Sequence, residues 1–337
     1  MDQQFVAGRL RVARELGGLT QAALAREVGI TPAAISQFES GAARPSPSTV
    51  NLLARALDVP VPFLYRELVE THEGFFRSLR RTAVAARRHA RAVAHVAHDV
   101  AVHAGEHGRI YVQAVPQIGV PLGASRDVIE EAAARVRTRW DLSRGPVGNV
   151  VDLLEGHGVA VIRLPLGTAA VDAFSLPFVD HPVVVLGADK DDRARSRFDA
   201  AHELGHLVMH GEQIWGLKEV EDQAHAFAAA FLMPADEIWE QLPTAVDWAR
   251  LFELKRFWQV SLAALLRRAR DLGRMSPATY LTAVKAASAR GWRRVEPVPL
   301  GAPEAPRLVP DHLRSEEGHE LSSFLPVRVL DGFNEIA

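Results

Sequence analysis

Cysteine is absent from the 337 residues. That removes disulfides, thiolate metal sites and cysteine nucleophiles together. No run of about 18 apolar residues occurs, so no membrane-spanning helix is expected. No apolar segment follows a basic start at the amino terminus, so no signal peptide is expected and the location reads as cytoplasmic. Net charge is nearly absent too: 39 Lys and Arg meet 41 Asp and Glu, a formal −2 that excludes no class of partner. What is there is 48% hydrophobic and 24% charged, the composition of a globular protein. At about 100–200 residues per domain, the length allows two or three domains.

The near-zero total hides a gradient. Between Arg77 and Arg109 the bases Arg77, Arg80, Arg81, Arg87, Arg88, Arg91 and Arg109 face only Asp99 and Glu106. Glu316, Glu317 and Glu320 cluster near the other end. Such asymmetry fits nucleic-acid contact early in the chain, and equally an Arg-rich solvated helix face.

His202-Glu203-Leu204-Gly205-His206 spells H-E-x-x-H. Two imidazoles four residues apart share one face of an α-helix and can reach one metal ion. Neutral imidazole is a good Zn²⁺ ligand, and Glu203 is placed to take a proton from a water at the metal. The segment reads as a helix. Asp191-Asp192 offers an acidic start, and Phe198, Ala201, Leu204, Leu207 and Val208 recur at helical spacing. Gly205 costs about 1 kcal/mol relative to Ala inside a helix, so another segment is expected to approach closely there. Residues 219–232 form a second, Ala-rich helical stretch ending at Pro234. Glu221, Ala224, Ala228 and Phe231 fall on one stripe of it, which makes Glu221 the candidate third ligand and Glu219 its rival. His210 is in register with the pair, but lies about 12 Å along the axis from His202, so it is expected to support or pack rather than ligate.

Residues 3–65 read as five short helices. Leu10, Ala13 and Leu16 mark the first. Thr20 caps the second, Gln21 to Val28, and Gly29 turns the chain. Thr31 caps the third, with Pro32 at its first position, where a missing N–H costs nothing. Ser48 is expected to cap the fourth, with Leu52, Leu53, Ala56 and Leu57 inward. Pro60 to Tyr65 ends the set. Helix, Gly turn, helix is the arrangement that places a second helix in the DNA major groove. The string LTQAALAREVGITPAAISQFESGAARPS resembles the phage-repressor-like (XRE) helix-turn-helix family. That resemblance implies double-stranded DNA as a partner. Gln21 would touch a phosphate or base. Pro32, Ala33, Ser36 and Gln37 would face base edges, with Thr31 heading the same helix, and Arg44 would meet the backbone. Gln37 can bond adenine in bidentate fashion.

The middle of the chain is less patterned. Residues 72–107 read as one or two helices, on which His89, His95, His98 and His103 share no face with an acid and are expected to be solvated. Gln117 to Gly123 marks a boundary. Helices are expected over Asp127–Trp140 and Asn149–Leu154, and strands over 159–162 and 182–186, with 171–176 a possible edge strand. An edge strand near a metal helix could take an extended peptide by strand addition. Three helices are expected over Asp247–Phe257, Ser261–Asp271 and Pro277–Arg290. After Glu296 the chain is Pro-rich, with Pro297, Pro299, Pro303, Pro306 and Pro310, which predicts an extended arm, ordered only if docked.

Phe198-Asp199-x-Ala201-His202-Glu203-Leu204-Gly205-His206 and Glu221-x-x-Ala224-x-x-Phe227-Ala228-x-x-x-Leu232-Met233-Pro234 resemble the ImmA/IrrE metallopeptidase family. The resemblance implies one Zn²⁺ per chain on His202, His206 and Glu221, with Glu203 as general base. It also implies a repressor as protein substrate in a stress or mobile-element response. His225 stands where that family usually has Asn. Tyr280 and His225 are the residues in view for stabilising a transition state.

The expected architecture is multidomain. An all-α five-helix helix-turn-helix domain occupies 1–67 and a helical linker 68–124. An α+β zincin-like metallopeptidase domain with additional C-terminal helices covers 125–295, and a Pro-rich acidic tail 296–337. The expected function is a DNA-binding transcriptional regulator with a zinc endopeptidase domain, acting as a homodimer and without a membrane. Two alternatives stand beside it: a transcription factor whose silent peptidase-like domain senses a ligand or partner, and an antitoxin-like or phage-defence regulator.

Overall fold

The structure, a computed structural model, describes residues 4–69, 71, 84–110, 114–166, 173–189, 191–210 and 217–335. They divide into two compact units. The first comprises Met1–Ala114, Glu155–Asp189 and Pro306–Ala337, and the second Val115–Leu154 and Lys190–Ala305. The division does not follow chain order.

The first unit opens with α1 (Ala7–Leu16), α2 (Gln21–Val28), α3 (Pro32–Glu39) and α4 (Pro47–Leu57), then a 3-10 turn over Val61–Tyr65. Thr20 and Thr31 accept the backbone N–H of Ala23 and Ala34, so both expected caps are in place. Gly29 turns the chain at φ 74°, a conformation open to glycine at little cost. The fourth helix differs from expectation. Ser46, not Ser48, caps it by accepting from Thr49 N, and Pro47 takes the first position. The inward phase shifts with the cap. Val50, Leu53, Ala54 and Leu57 are buried, while Leu52 is 47% exposed.

The long helix α5 (Val84–Glu106) is the core of this unit. Residues 72–83, within the expected linker, lie outside the described residues. His95, His98 and His103 are not solvated; each is at most 7% exposed. The reason is packing on several sides of α5. It lies against α1 and against a three-stranded sheet, and all contribute to one apolar core. His98 Nε2 pairs with Asp180 at 2.7 Å, and the ring stacks on Phe178. His103 Nδ1 lies 2.8 Å from His312 Nε2. From α1, Arg9 forms a bidentate ion pair with Asp99 at 2.5 and 2.6 Å, both groups buried. His89 is exposed, as expected.

The sheet has the order β1-β3-β2, with β1 (Ala160–Leu164) parallel and β2 (Ala173–Leu176) antiparallel to β3 (Val183–Gly187). All three are almost wholly buried, in keeping with their predominantly apolar sequences, with Arg163 and Ser175 the polar residues among them. The arm after Glu296 is docked and partly helical. It contains α14 (Leu308–Leu313), a 3-10 turn over Glu317–Ser323 and α15 (Val327–Glu335). Val309, Leu321, Leu325 and Phe333 from this stretch join the core.

The second unit holds α6 (Arg126–Arg139), α8 (Arg193–Met209), α9 (Lys218–Leu232), α10 (Ala235–Ile238), α11 (Trp248–Trp258), α12 (Leu262–Asp271) and α13 (Pro277–Ala289). The boundary falls within α7 (Val150–Gly156). Asp192 caps α8 by accepting from Arg195 N. Near its start, buried Arg197 pairs with buried Glu304 and donates to the carbonyls of Val147 and Gly148. Glu304 also accepts from Val150 N, capping α7. At the other end, Ile118 N and Val120 N donate to the carbonyls of Val208 and Met209, and Gln117 Nε2 to that of Leu207. Those carbonyls have no partner within the helix, so the segment 117–120 closes α8. Helix α8 is thus fixed at both ends, and α9 packs along it. No helix among the described residues is long and apolar enough to cross a membrane.

Candidate metal centre and DNA-facing helix

His202 and His206 lie one turn apart on α8, and their Nε2 atoms are 3.1 Å apart. Two ring nitrogens that close, on rings set at 83°, point at one place. From α9, Glu221 brings its carboxylate oxygens to 3.5 Å from His202 Nε2 and 3.9 Å from His206 Nε2. One donor atom each from His202, Glu203 and His206 fall within 4.8 Å of one another. Glu203 is 3% exposed. The rival acid is elsewhere: Glu219 is exposed and accepts the N–H of Gly123. Asp222 pairs with Lys218 at the surface.

The close approach expected at Gly205 comes from Phe227 of α9. A Cβ on residue 205 would lie 3.0 Å from the Phe227 ring and 3.2 Å from its Cβ. The missing side chain therefore lets α9 lie close enough for Glu221 to reach the two histidines.

His206 is fully buried, and its pKa lies well below the usual 6.5. Burial is the main cause, and the neighbouring imidazoles His202, His210 and His225 add to it. A neutral imidazole is the form a metal requires. His225 donates from Nδ1 to the Glu221 carbonyl at 3.0 Å, and its ring lies 4.5 Å from that of His202. Although its edge reaches solvent, the ring is hemmed in by Phe198 and His202, and its pKa falls to about 4. The cause is first desolvation and then the His202 charge. Tyr280 of α13, the other residue in view, stacks under the guanidinium of Arg270 from α12.

The donor set of two imidazoles and one carboxylate, without thiolate, fits a divalent transition-metal ion. The sequence alone did not reveal what stands behind the ligands. His206 Nδ1 is 2.9 Å from His210 Nδ1, His210 Nε2 is 3.0 Å from Gln223 Oε1, and Gln223 Nε2 donates to the Pro121 carbonyl at 2.9 Å.

On the first unit, α3 turns Thr31, Pro32, Ala33, Ser36 and Gln37 outward, all exposed, and Arg44 is exposed beyond its end. Ile35 is the buried side of the helix. Gln21 at the start of α2 is half-buried, and its amide donates to Glu39 at 2.8 Å. Glu39 is in turn held by Arg14 at 2.5 and 2.9 Å. The amide is thus oriented from within the domain.

No curated protein matches the chain. Residues 154–270 match the peptidase M78 family model, described as the IrrE N-terminal-like domain. Residues 10–64 match the model described as helix-turn-helix. The chain therefore joins a helix-turn-helix DNA-binding domain to an IrrE-like peptidase domain, the fusion that its two motifs led us to expect.

Proposed function

We propose that this DNA-binding regulator carries a working zinc endopeptidase whose substrate is a repressor-type protein, cleaved in a stress or mobile-element response. The observation that carries the reading is the convergence of His202, His206 and Glu221, from two helices, beside the carboxylate of Glu203. In this reading His202 and His206, through Nε2, and Glu221 hold one Zn²⁺ per chain. A bound zinc supplies Lewis acidity toward a peptide carbonyl. Glu203 accepts the proton of the attacking water and returns it to the leaving amide nitrogen. A pure sensor would have no need of that base. At the other end of the chain, Pro32, Ala33, Ser36 and Gln37 meet base edges with Thr31 heading their helix, Gln21 touches a phosphate or base, and Arg44 meets the backbone. The protein acts as a homodimer in the cytoplasm.

The test compares wild type with Glu203→Gln for metal content and for cleavage of a repressor encoded beside it. Glu203→Gln is expected to keep zinc and DNA binding and to lose about 10²–10⁴ in rate. His202→Ala, His206→Ala and Glu221→Ala should each lose the metal, whereas Glu219→Ala should hold it. A Glu203→Gln protein that cuts at the wild-type rate removes Glu203 from the mechanism. Stoichiometric zinc in Glu221→Ala removes the third ligand.

A further inference from the structure

Behind His206 runs a chain of hydrogen bonds whose direction is fixed from its far end. A peptide carbonyl can only accept, so the Gln223 atom 2.9 Å from Pro121 O is the amide nitrogen, and it donates. The other Gln223 atom is therefore Oε1, which can only accept. It lies 3.0 Å from His210 Nε2, so His210 carries its proton on Nε2. In a neutral imidazole one nitrogen donates and the other accepts. His210 Nδ1 is then an acceptor, and the atom 2.9 Å from it, His206 Nδ1, must donate. That makes His206 Nε2 the nitrogen that carries the lone pair, and this is the atom directed at His202 Nε2 and Glu221.

We infer that His210 and Gln223 are positioning residues that lock His206 into the Nδ1–H tautomer, so that its Nε2 lone pair is aimed at the metal position before any metal arrives. The inference rests on the metal reading of the site. His206, His210 and Gln223 are at most 4% exposed, so water does not compete for the bonds among these three side chains. The hydrogen-bond chain also ties three segments together. Gln223 lies half a turn beyond Glu221 on α9, so the helix that supplies the third ligand also sets the tautomer of the second. Pro121 directly follows the stretch 117–120 that closes the end of α8. His202 has no such support; its Nδ1 is buried without a partner among the described residues. The two histidines of the motif are thus unequal, with His206 pre-set and His202 free to adjust. Groups that orient a metal-bound imidazole through its second nitrogen affect affinity about 10–100-fold.

The experiment uses the full chain in two measurements. The first is the long-range ¹⁵N–¹H spectrum of metal-free protein labelled at histidine, with the His206 signals assigned by their loss in His206→Gln. Wild type is expected to show His206 protonated on Nδ1. The second is zinc affinity by competition with a chelator. Gln223→Met, which fills the space but offers only a weak sulfur acceptor and no donor, should bind zinc about 10–100-fold more weakly. Gln223→Glu keeps an acceptor toward His210 and should bind within about threefold of wild type, a rescue that lost packing alone would not give. A His206 signal protonated on Nε2 overturns the inference, as does a folded Gln223→Met that binds zinc like wild type. If Gln223→Met does not fold, the wild-type spectrum and Gln223→Glu still decide. Should wild type bind no zinc at all, the metal reading fails while the spectrum separately judges the tautomer.

Discussion

Gly205 lacks a side chain, and Phe227 uses the space. Replacing it with Ala removes a helix penalty of about 1 kcal/mol. Against that, a Cβ at 3.0–3.2 Å from Phe227 is overpacking, which costs about 1–3 kcal/mol. Phe227 is fully buried and stacked on Phe231, and one of the crowded atoms is its own Cβ, so a ring rotation gives no relief. Relief requires α9 to move, and with it Glu221. Gly205→Ala is therefore expected to lower stability by about 1 kcal/mol net and to weaken zinc binding. A denaturant midpoint and a zinc titration on the same variant check both; a more stable variant with unchanged affinity contradicts the close-approach reading. Much at this scale was legible. Spacing alone put His202 and His206 on one helix face, and the stripe of small residues pointed to Glu221 over Glu219. The His210–Gln223–Pro121 chain was not legible, because its members are far apart in sequence and meet only through the α8–α9 packing. Nothing about Gln223 as a residue type marks it as a partner of a histidine 13 positions earlier.

Among the elements, α3 carries the clearest expectation. Its outward face offers Gln37 as a base reader, while Pro32 and Ala33 offer only apolar contact. Gln37→Ala should therefore cost about 1–3 kcal/mol and relax preference at one base pair. Arg44→Ala should weaken binding to all sequences and reduce the salt slope by about one unit. With so few readers, a single half-site should bind weakly and two half-sites one helical turn apart should recover affinity. Anisotropy titrations of the full chain on its own promoter, at several salt concentrations, separate these outcomes. No salt-dependent duplex binding would make the domain a protein-interaction module. The helices themselves were mostly readable because their caps are local. Thr31-Pro32, Ser46-Pro47 and Ser276-Pro277 repeat one device, a hydroxyl cap followed by proline. Ser46 fits that device and caps α4, whereas Ser48 is not followed by proline. The burial of α5 was not readable in the same way. Its Ala, Arg and His composition suits a solvated face, and only the elements packed around it reverse that.

Over the whole molecule, chain order and spatial grouping part company. The strands group with the helix-turn-helix helices and the C-terminal stretch, while α8 and α9 group with α6 and α10–α13. Periodicity carries no information about which distant segments share a core, and the prolines after Glu296 obscured the apolar residues that dock. The first unit pays for its compactness in neutral histidines, which makes its stability depend on pH. His95 lies well below its usual 6.5, through burial first and then the nearby Arg91 and Arg9 charges. His103 and His181 are lowered, chiefly by burial, and His312 falls to about 4 through burial and then His103 and Arg109. In the unfolded chain each titrates near 6.5, so below that pH the unfolded state binds more protons than the folded one. Stability is therefore complete above about pH 6.5 and is lost as pH falls from there toward 4, in the direction linkage requires. His312→Gln removes one titrating group and should flatten that loss, although it also breaks the bond to His103 and lowers stability at neutral pH. Urea midpoints of metal-free wild type and His312→Gln, at about pH 7.5 and about pH 5, give the comparison. Using metal-free protein keeps the acid loss of a bound ion out of the difference. A wild-type midpoint that does not fall between the two pH values, or a variant that falls just as steeply, would show that these histidines accept protons without unfolding the core they occupy.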